Sequence, residues 1–537
     1  MGFAMNRRGA LRAMGSALAA AAVMRAWGVA AQALPSAFAQ ALAAAAGGDA
    51  VLAGFYRDRQ YRGLWTGAAD SRRREAALQA FDTAADHGLP VPRYDAAALR
   101  QAFGAAQTEG DLGRLDVAMT RAALAFVRDL SSGALEPGKV DDGIKREIVR
   151  PDPALTLSQL TADDIAPYLA ALAPLAPEYT RLMAEKFAIE ALVGAGGYGP
   201  VLAVAEVKEG AKGPAVVALR DRLQALGYLD RSFTDSYDAD IQDAVQRFQL
   251  NNGINPDGIA SKTTTEALNV PAEARLAAVI VALERLRWMG KAPLGQRHIW
   301  VNEPDFTARV VDDGATTFQT RVVIGRVGVD TESPEFSDKM EFLVINPTWS
   351  VPRSIVVKEY LPQFQKNPMA QGQLELLDRA GNVVDRTTVD FAAYTPENFP
   401  FALRQPPEDG NALGKVKFMF PNPYNIYLHD TPTKGLFAKE VRAFSHGCIR
   451  VGSPFDLAYF LLSRQSDDPK GLFASYLHGG KEATLNLDQP IPVHLVYFTA
   501  WPDEQGRIGY RRDIYGRDAK LFAALKDAGV ELTPVQS

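Results

Sequence analysis

The chain has 537 residues, 47% of them hydrophobic and 23% charged. At about 150 residues per domain this is material for three or four units with ordinary cores, and it argues against a disordered chain. The 58 Lys and Arg against 63 Asp and Glu leave a net charge of −5, which gives no basic footprint and excludes nucleic acid as a partner.

In chain order, the opening segment carries Arg7, Arg8 and Arg12 and no acid, and an Ala-rich run from Ala13 to Met24 follows. This reads as an export signal, with Arg7-Arg8 resembling a twin-arginine start and Ala37-Phe38-Ala39 a cleavage point, so residues 1–39 are expected to be removed. About twelve apolar residues interrupted at Arg25 are too few to span a bilayer. A membrane is therefore expected only through an uncleaved signal. Export also makes the single cysteine informative, because one Cys forms no internal disulfide and exposes a thiol to an oxidising compartment.

Residues 40–205 read as a helical scaffold. Leu112, Leu115, Met119, Ala122, Phe126 and Leu130 recur at spacings of three and four and so share one helical stripe. Segments around Ala77 to Ala85, Ile165 to Leu172 and Tyr179 to Leu192 are its expected partners, and Phe55, Tyr56, Tyr61 and Trp65 its expected aromatic core. Gly194 to Pro200 breaks the pattern as a linker. Residues 206–271 form a compact helical unit, with Val217, Leu219, Leu223 and Leu226 on one helix and Ile241, Val245 and Phe248 on the next. Its Leu223-Gln224, Gly227-Tyr228, Ala244-Val245, Phe248-Gln249 and Asp257-Gly258 resemble the three-helix peptidoglycan-binding domain of cell-wall enzymes.

From 272 to 517 the texture is β-rich: Ile299 to Val301, Thr307 to Val311, Thr317 to Ile324 and Met340 to Ile345 are short, β-branched or aromatic runs. A charged, Pro-punctuated stretch from about 356 to 414 interrupts them and reads as an inserted lid. Strands resume at Lys415 to Phe420 and Tyr424 to Leu428, a helix follows at Pro454 to Leu462, and alternation returns at Pro492 to Phe498. Residues 518–537 add a last helix and tail. The fold class is multidomain α+β.

The chemistry gathers at Ser445-His446-Gly447-Cys448-Ile449-Arg450, with a second histidine upstream in Tyr427-Leu428-His429-Asp430-Thr431-Pro432. A thiol near its ordinary pKa is only a few per cent thiolate at neutral pH, so an attacking cysteine needs an imidazole or a positive neighbour. His429, arriving on a separate strand end, is the favoured general base, with His446 supporting or alternative. Asp430, through its backbone carbonyl or its side chain, is placed to orient the ring. Gly447 permits close backbone approach, and the amides of His446, Gly447 and Cys448 are oxyanion-hole candidates. Arg450 offers a planar fork suited to a substrate carboxylate, or to a structural salt bridge.

These motifs resemble the signature of the L,D-transpeptidases, the YkuD-type catalytic domain. The likeness extends to Asn346-Pro347-Thr348-Trp349-Ser350-Val351-Pro352, to the His429 segment and to Pro492-Val493-His494-Leu495-Val496-Tyr497, and the order of scaffold, binding module and lid-bearing catalytic domain is that of the large multidomain branch. Many members carry Asn where this chain has Arg450. The resemblance implies Cys448 as nucleophile and His429 as base, with Ser445, Tyr427, Trp349, Asp430 and Arg450 near the substrate. It implies a periplasmic acyl transfer from tetrapeptide stems of the sacculus to an amine, with release of terminal D-Ala and no cofactor or metal. Water as acceptor would make a carboxypeptidase, and a lipoprotein lysine a protein-attaching enzyme. Two readings of other classes compete: a zinc hydrolase using Cys448, His446, His429 and Asp430, and a non-catalytic wall-binding protein built on residues 206–271.

Overall fold

The computed structural model describes residues 36–204, 206–290, 294–328 and 330–532. The expected export signal lies outside them except for residues 36–39, which open a helix. That helix, Ala37–Ala46, starts where the Ser36 hydroxyl accepts the Ala39 amide, so the expected cleavage point falls inside it. It packs on the long helix Glu109–Ser132, where a Cβ on Gly113 would stand 2.5 Å from the Phe38 carbonyl oxygen. The long helix begins at a capping box between Thr108 and Asp111, which satisfies two otherwise orphaned amides. Its Met119, Ala122, Phe126 and Leu130 are buried. Among the described residues no helix is long and apolar enough to cross a membrane.

The scaffold core reaches past the boundaries read from the sequence. Helix Ala272–Trp288, expected with the catalytic domain, lies inside it, and its Leu276, Val279, Ile280 and Leu283 share one cluster with Phe81, Phe126 and Leu182. Leu521 and Leu525 of the final helix Arg517–Asp527 belong to the same cluster. Helix Ala272–Trp288 also buries Glu284, which accepts from Arg287 at 2.8 Å, from the Trp288 indole at 3.0 Å and from the Leu135 amide at 2.9 Å. The small module between them has helices Pro214–Ala225, Ala239–Asn251 and Lys262–Leu268 around Val216, Leu219, Leu223, Ile241, Val245 and Phe248. Val216, not Val217, fills that core.

The β-rich region runs through β1 (Arg297–Asn302), β2 (Thr307–Asp312), β3 (Ala315–Gly325), β4 (Phe336–Ile345), β5 (Trp349–Ser350), β6 (Glu375–Leu377) and β7 (Ala402–Gln405). It continues with β8 (Val416–Met419), β9 (Leu428–His429), β10 (Ala443–Ser445), β11 (Ile449–Val451), β12 (Ala483–Val496), β13 (Ala500–Pro502) and β14 (Ile508–Tyr510). The main sheet has the order β10-β3-β11-β9-β8-β4-β12-β1-β2, and β2 pairs back to β3. The strands thus ring a core that includes Ile299, Val301, Phe418, Leu428, Ile449 and Val451. Closure removes free strand edges. The interrupted stretch folds as a unit of its own: β5, β7 and β6 form a small sheet over Phe364, Leu376, Phe391, Phe399 and Leu403.

Scaffold and barrel meet at a buried ionic cluster. Arg517, with no exposed surface, lies 3.2 Å from Glu303, 3.5 Å from Glu335 and 3.6 Å from Asp141 of the scaffold. Arg285 pairs with Glu335 at 3.3 Å and with Asp518.

Removing one partner of a buried ion pair strands the other charge at a cost of about 3–5 kcal/mol. Glu284→Ala leaves Arg287 buried and unpaired and is expected to lower stability by that amount. Calorimetric melting checks it, and an unchanged Tm would refute it.

Candidate active site

Period-two alternation decides which side chains face the site. Leu428, Ile449 and Val451 point into the barrel core, so Tyr427, His429, Cys448 and Arg450 project from its outer surface. β9 and β11 are parallel neighbours with His429 opposite Arg450, and β8 places Lys417 opposite His429 on the other side. Lys417, His429 and Arg450 therefore form a row across three strands, with Tyr427 and Cys448 beside it.

Cys448 is the free, half-buried cysteine. Its thiol donates to the Asn425 carbonyl at 3.5 Å, and among the described residues neither histidine hydrogen-bonds to it. Burial pushes the thiol pKa up, against hydrogen bonding from Tyr427 and the charges of Lys417 and Arg450. The Tyr427 ring stands at 64° to the His429 ring, centroids 5.7 Å apart, with the Lys417 ammonium 4.3 Å above it.

His429 is buried, and its Nδ1 lies 2.5 Å from the Asp430 carbonyl oxygen. A carbonyl only accepts, so Nδ1 carries the proton and the lone pair sits on Nε2. Burial, reinforced by the Arg450 charge, holds the imidazole pKa down to about 3, so the ring is neutral at any physiological pH. The sequence left Asp430 two ways to orient the ring, and the structure uses the carbonyl. Its carboxylate faces into the protein, accepting the Lys415 amide at 2.9 Å and the Thr431 amide at 2.6 Å and pairing with Lys434 at 2.5 Å. The side chain expected near the substrate thus has structural partners.

Ser445 is likewise turned inward: its hydroxyl donates to the Cys448 carbonyl at 2.6 Å and accepts the Gly447 amide at 3.2 Å. It shapes the turn and occupies the Gly447 amide expected at an oxyanion. Gly447 contributes its φ of +112°, which a side chain would strain. The Cys448 amide has no acceptor among the described residues. Trp349 packs edge-on to Tyr360 within the inserted unit. His446 Nε2 is 2.7 Å from Glu359, which also pairs with Arg326 at 2.9 Å. Burial raises the Glu359 carboxyl pKa, but these two partners outweigh it and hold it below the ordinary range. Glu359 stands on a π-helical turn, Val356–Tyr360, at the base of the insertion.

Lys417, Glu359 and Ser333 carry no signal in the sequence. Ser333 is fully buried, donates from Oγ to the Gly447 carbonyl at 2.6 Å and accepts the Gly325 amide at 3.0 Å. Its own carbonyl accepts from Arg517 at 2.7 Å. The four side chains of the zinc reading do not converge: His446 turns to Glu359, and Asp430 to Lys415 and Lys434. Among the described residues no three of His, Cys, Asp and Glu gather as a metal cluster.

Comparison with known proteins accords with this geometry. Residues 296–470 match the model described as the L,D-transpeptidase catalytic domain, YkuD. The chain carries an L,D-transpeptidase catalytic domain. Residues 50–185 match a scaffold domain, and residues 212–268 the "Putative peptidoglycan binding domain". A Haemophilus influenzae protein named "Putative L,D-transpeptidase" is 34% identical over 228 residues, 42% of this chain and 45% of that protein, so the match spans less than half of the relative. A crystal structure of an L,D-transpeptidase from Xylanimonas cellulosilytica aligns over 56% of this chain and 100% of its own, at 15% identity and a TM-score of 0.17, an overlay too loose to bear on the fold. The L,D-transpeptidase domain match ends at residue 470, before β12, which completes the barrel between β4 and β1.

A neutral imidazole beside a raised thiol predicts a simple pH response. Alkylation of Cys448 by uncharged iodoacetamide should rise with pH and still be climbing at pH 9, because the thiol pKa lies above its ordinary value of 9.0. It should show no step near the ordinary histidine pKa of about 6.5, since His429 stays neutral down to about 3. A plateau between pH 6 and 7, the mark of a titrating imidazolium–thiolate pair, would refute this.

Proposed function

We propose that the protein is a peptidoglycan L,D-transpeptidase acting by cysteine acyl transfer in the cell envelope. The observation that carries this is His429, kept neutral by burial and fixed in one tautomer by the Asp430 carbonyl, on the same barrel face as the free thiol of Cys448. Since burial keeps the thiol protonated at rest, attack requires a base at the moment of reaction. Nε2 of His429 takes the thiol proton as the sulfur adds to the carbonyl of the third, L-configured residue of a tetrapeptide stem. The carbonyl oxygen becomes an oxyanion near the Cys448 amide. Collapse breaks the peptide bond, the imidazolium returns its proton to the departing D-Ala amine, and a thioester remains on Cys448. An acceptor amine then attacks the thioester, His429 removes its proton, and the free thiol is restored with a new amide bond.

The resting thiol points to Asn425, so nucleophile and base meet as substrate displaces that contact. Catalytic hydrogen bonds often tighten only in the complex. The inserted unit, tied to the motif through Glu359 and His446, covers the acyl-enzyme against water and so favours an amine acceptor over hydrolysis. The small helical module holds the wall polymer near the thiol.

Mass spectrometry after exposure to a carbapenem and to tetrapeptide muropeptides tests this reading. An adduct on Cys448, absent from Cys448→Ala, is expected with both, and no adduct with either overturns the reading. His429→Ala should slow acylation by about 10²–10⁴-fold, the usual contribution of a positioned base, while leaving the melting profile that of a folded protein.

A further inference from the structure

We propose that Lys417 and Arg450 form a carboxylate cradle over His429, so that the acyl donor is selected for a free carboxylate close to the scissile carbonyl. The proposal rests on the acyl-transfer reading above and names the chemical group the donor must carry.

The two cations lie in one cross-strand row, each directly opposite His429, on β8 and β11. Adjacent strands are about 4.8 Å apart, so the two backbones stand roughly 10 Å apart, and their long side chains can close on a single anion between them. Among the described residues the Lys417 ammonium and the Arg450 guanidinium make no hydrogen bond and no ion pair, and Arg450 Nε is a buried donor with no acceptor. Lys417 is held over the Tyr427 ring at 4.3 Å, which keeps its charge on the thiol side of the row.

The surroundings make this absence informative. Lys415 pairs with Asp409 at 2.7 Å, Lys434 with Asp430 at 2.5 Å and Arg326 with Glu359 at 2.9 Å. Lys417 and Arg450, beside the thiol, make no such pair among the described residues, and the Glu482 charge reaches Lys417 only from beyond ion-pair distance. Like charges in cross-strand reach destabilise a sheet, and a partly buried cation without a counter-charge costs more than a paired one. The neutral ring of His429 between them adds no third charge. The Arg450 fork matches a carboxylate in two parallel bonds, and the Lys417 ammonium supplies a third from the side. A tetrapeptide offers two carboxylates near the reacting bond: that of the departing D-Ala and that on the side chain of the third residue.

Three tetrapeptides distinguish these sources: one with diaminopimelate third and both carboxylates free, one with the D-Ala end as its carboxamide, and one with the diaminopimelate side-chain carboxyl as its carboxamide. Binding is measured by titration calorimetry on full-length Cys448→Ala protein, so that the cradle and the chemistry fail separately. Loss of a charge-assisted pair corresponds to about 10- to 100-fold, so one of the two carboxamides should bind that much more weakly than the free acid. Lys417→Gln and Arg450→Gln should each shrink the difference by weakening the free acid alone. Equal Kd values for all three peptides overturn the cradle whether or not the wild-type protein is acylated. A preference for the free acid that persists in both variants assigns the recognition elsewhere and overturns it equally. Should the calorimetric preference appear while no donor acylates wild-type Cys448, the cradle stands and the acyl-transfer reading falls.

Discussion

A guanidinium without access to water, that of Arg517, joins the three parts of this protein that have to agree for the thiol to be placed. It draws Asp141 from the scaffold, Glu303 from the turn after β1 and Glu335 from the approach to β4, and donates to the Ser333 carbonyl. Ser333 passes that constraint on, because its hydroxyl fixes the Gly447 carbonyl one residue before Cys448. A buried ion pair seldom stabilises a fold more than well-packed apolar groups would, yet breaking one is expensive. The effect of such a cluster is to penalise every arrangement in which scaffold and barrel are out of register, and the register in question includes the turn before Cys448.

The face above the barrel is held from the other side by the insertion. Glu359 reaches from a π-helical turn to His446 and Arg326, and the Arg326 amide donates to the Ser445 carbonyl at 2.9 Å. The motif is thus clasped between a buried positive charge behind and a half-buried carboxylate in front. Single-turn π segments often mark functional positions because one extra residue re-aims the side chains that follow. Here the residue re-aimed is the carboxylate that meets the motif histidine.

Much of this was legible in the sequence, and the parts that were not share a cause. The long scaffold helix declared itself because one stripe is apolar and the rest polar. Helix Ala272–Trp288 did not, because Glu284, Arg285 and Arg287 are buried along with Leu283 and Leu286, leaving no polar face to set a period. Cys448 and His429 stand out because their residue types have few other reasons to occur in such company. Asp430 and Ser445 were placed at the substrate because a carboxylate or hydroxyl beside a nucleophile invites that reading. Their actual partners, the Lys415 amide, Lys434 and the Cys448 carbonyl, are set by loop geometry that residue identity does not encode. Lys417, Ser333 and Glu359 reach the site from separate strands or from the insertion, so only the folded topology brings them there.

The final helix has a consequence for the order in which the molecule can form. Leu521 and Leu525 complete a core most of whose members lie hundreds of residues earlier, among them Phe81 and Phe126. The scaffold is translated first but closes last, after the binding module and the barrel have already emerged. Until Arg517 arrives, Ser333 lacks the donor that fixes its carbonyl, and the turn before Cys448 is held on one side only. A chain that stops short of residue 517 would keep Cys448 and His429 and still lack the guanidinium that ties Ser333, and through it the Gly447 carbonyl, to the scaffold.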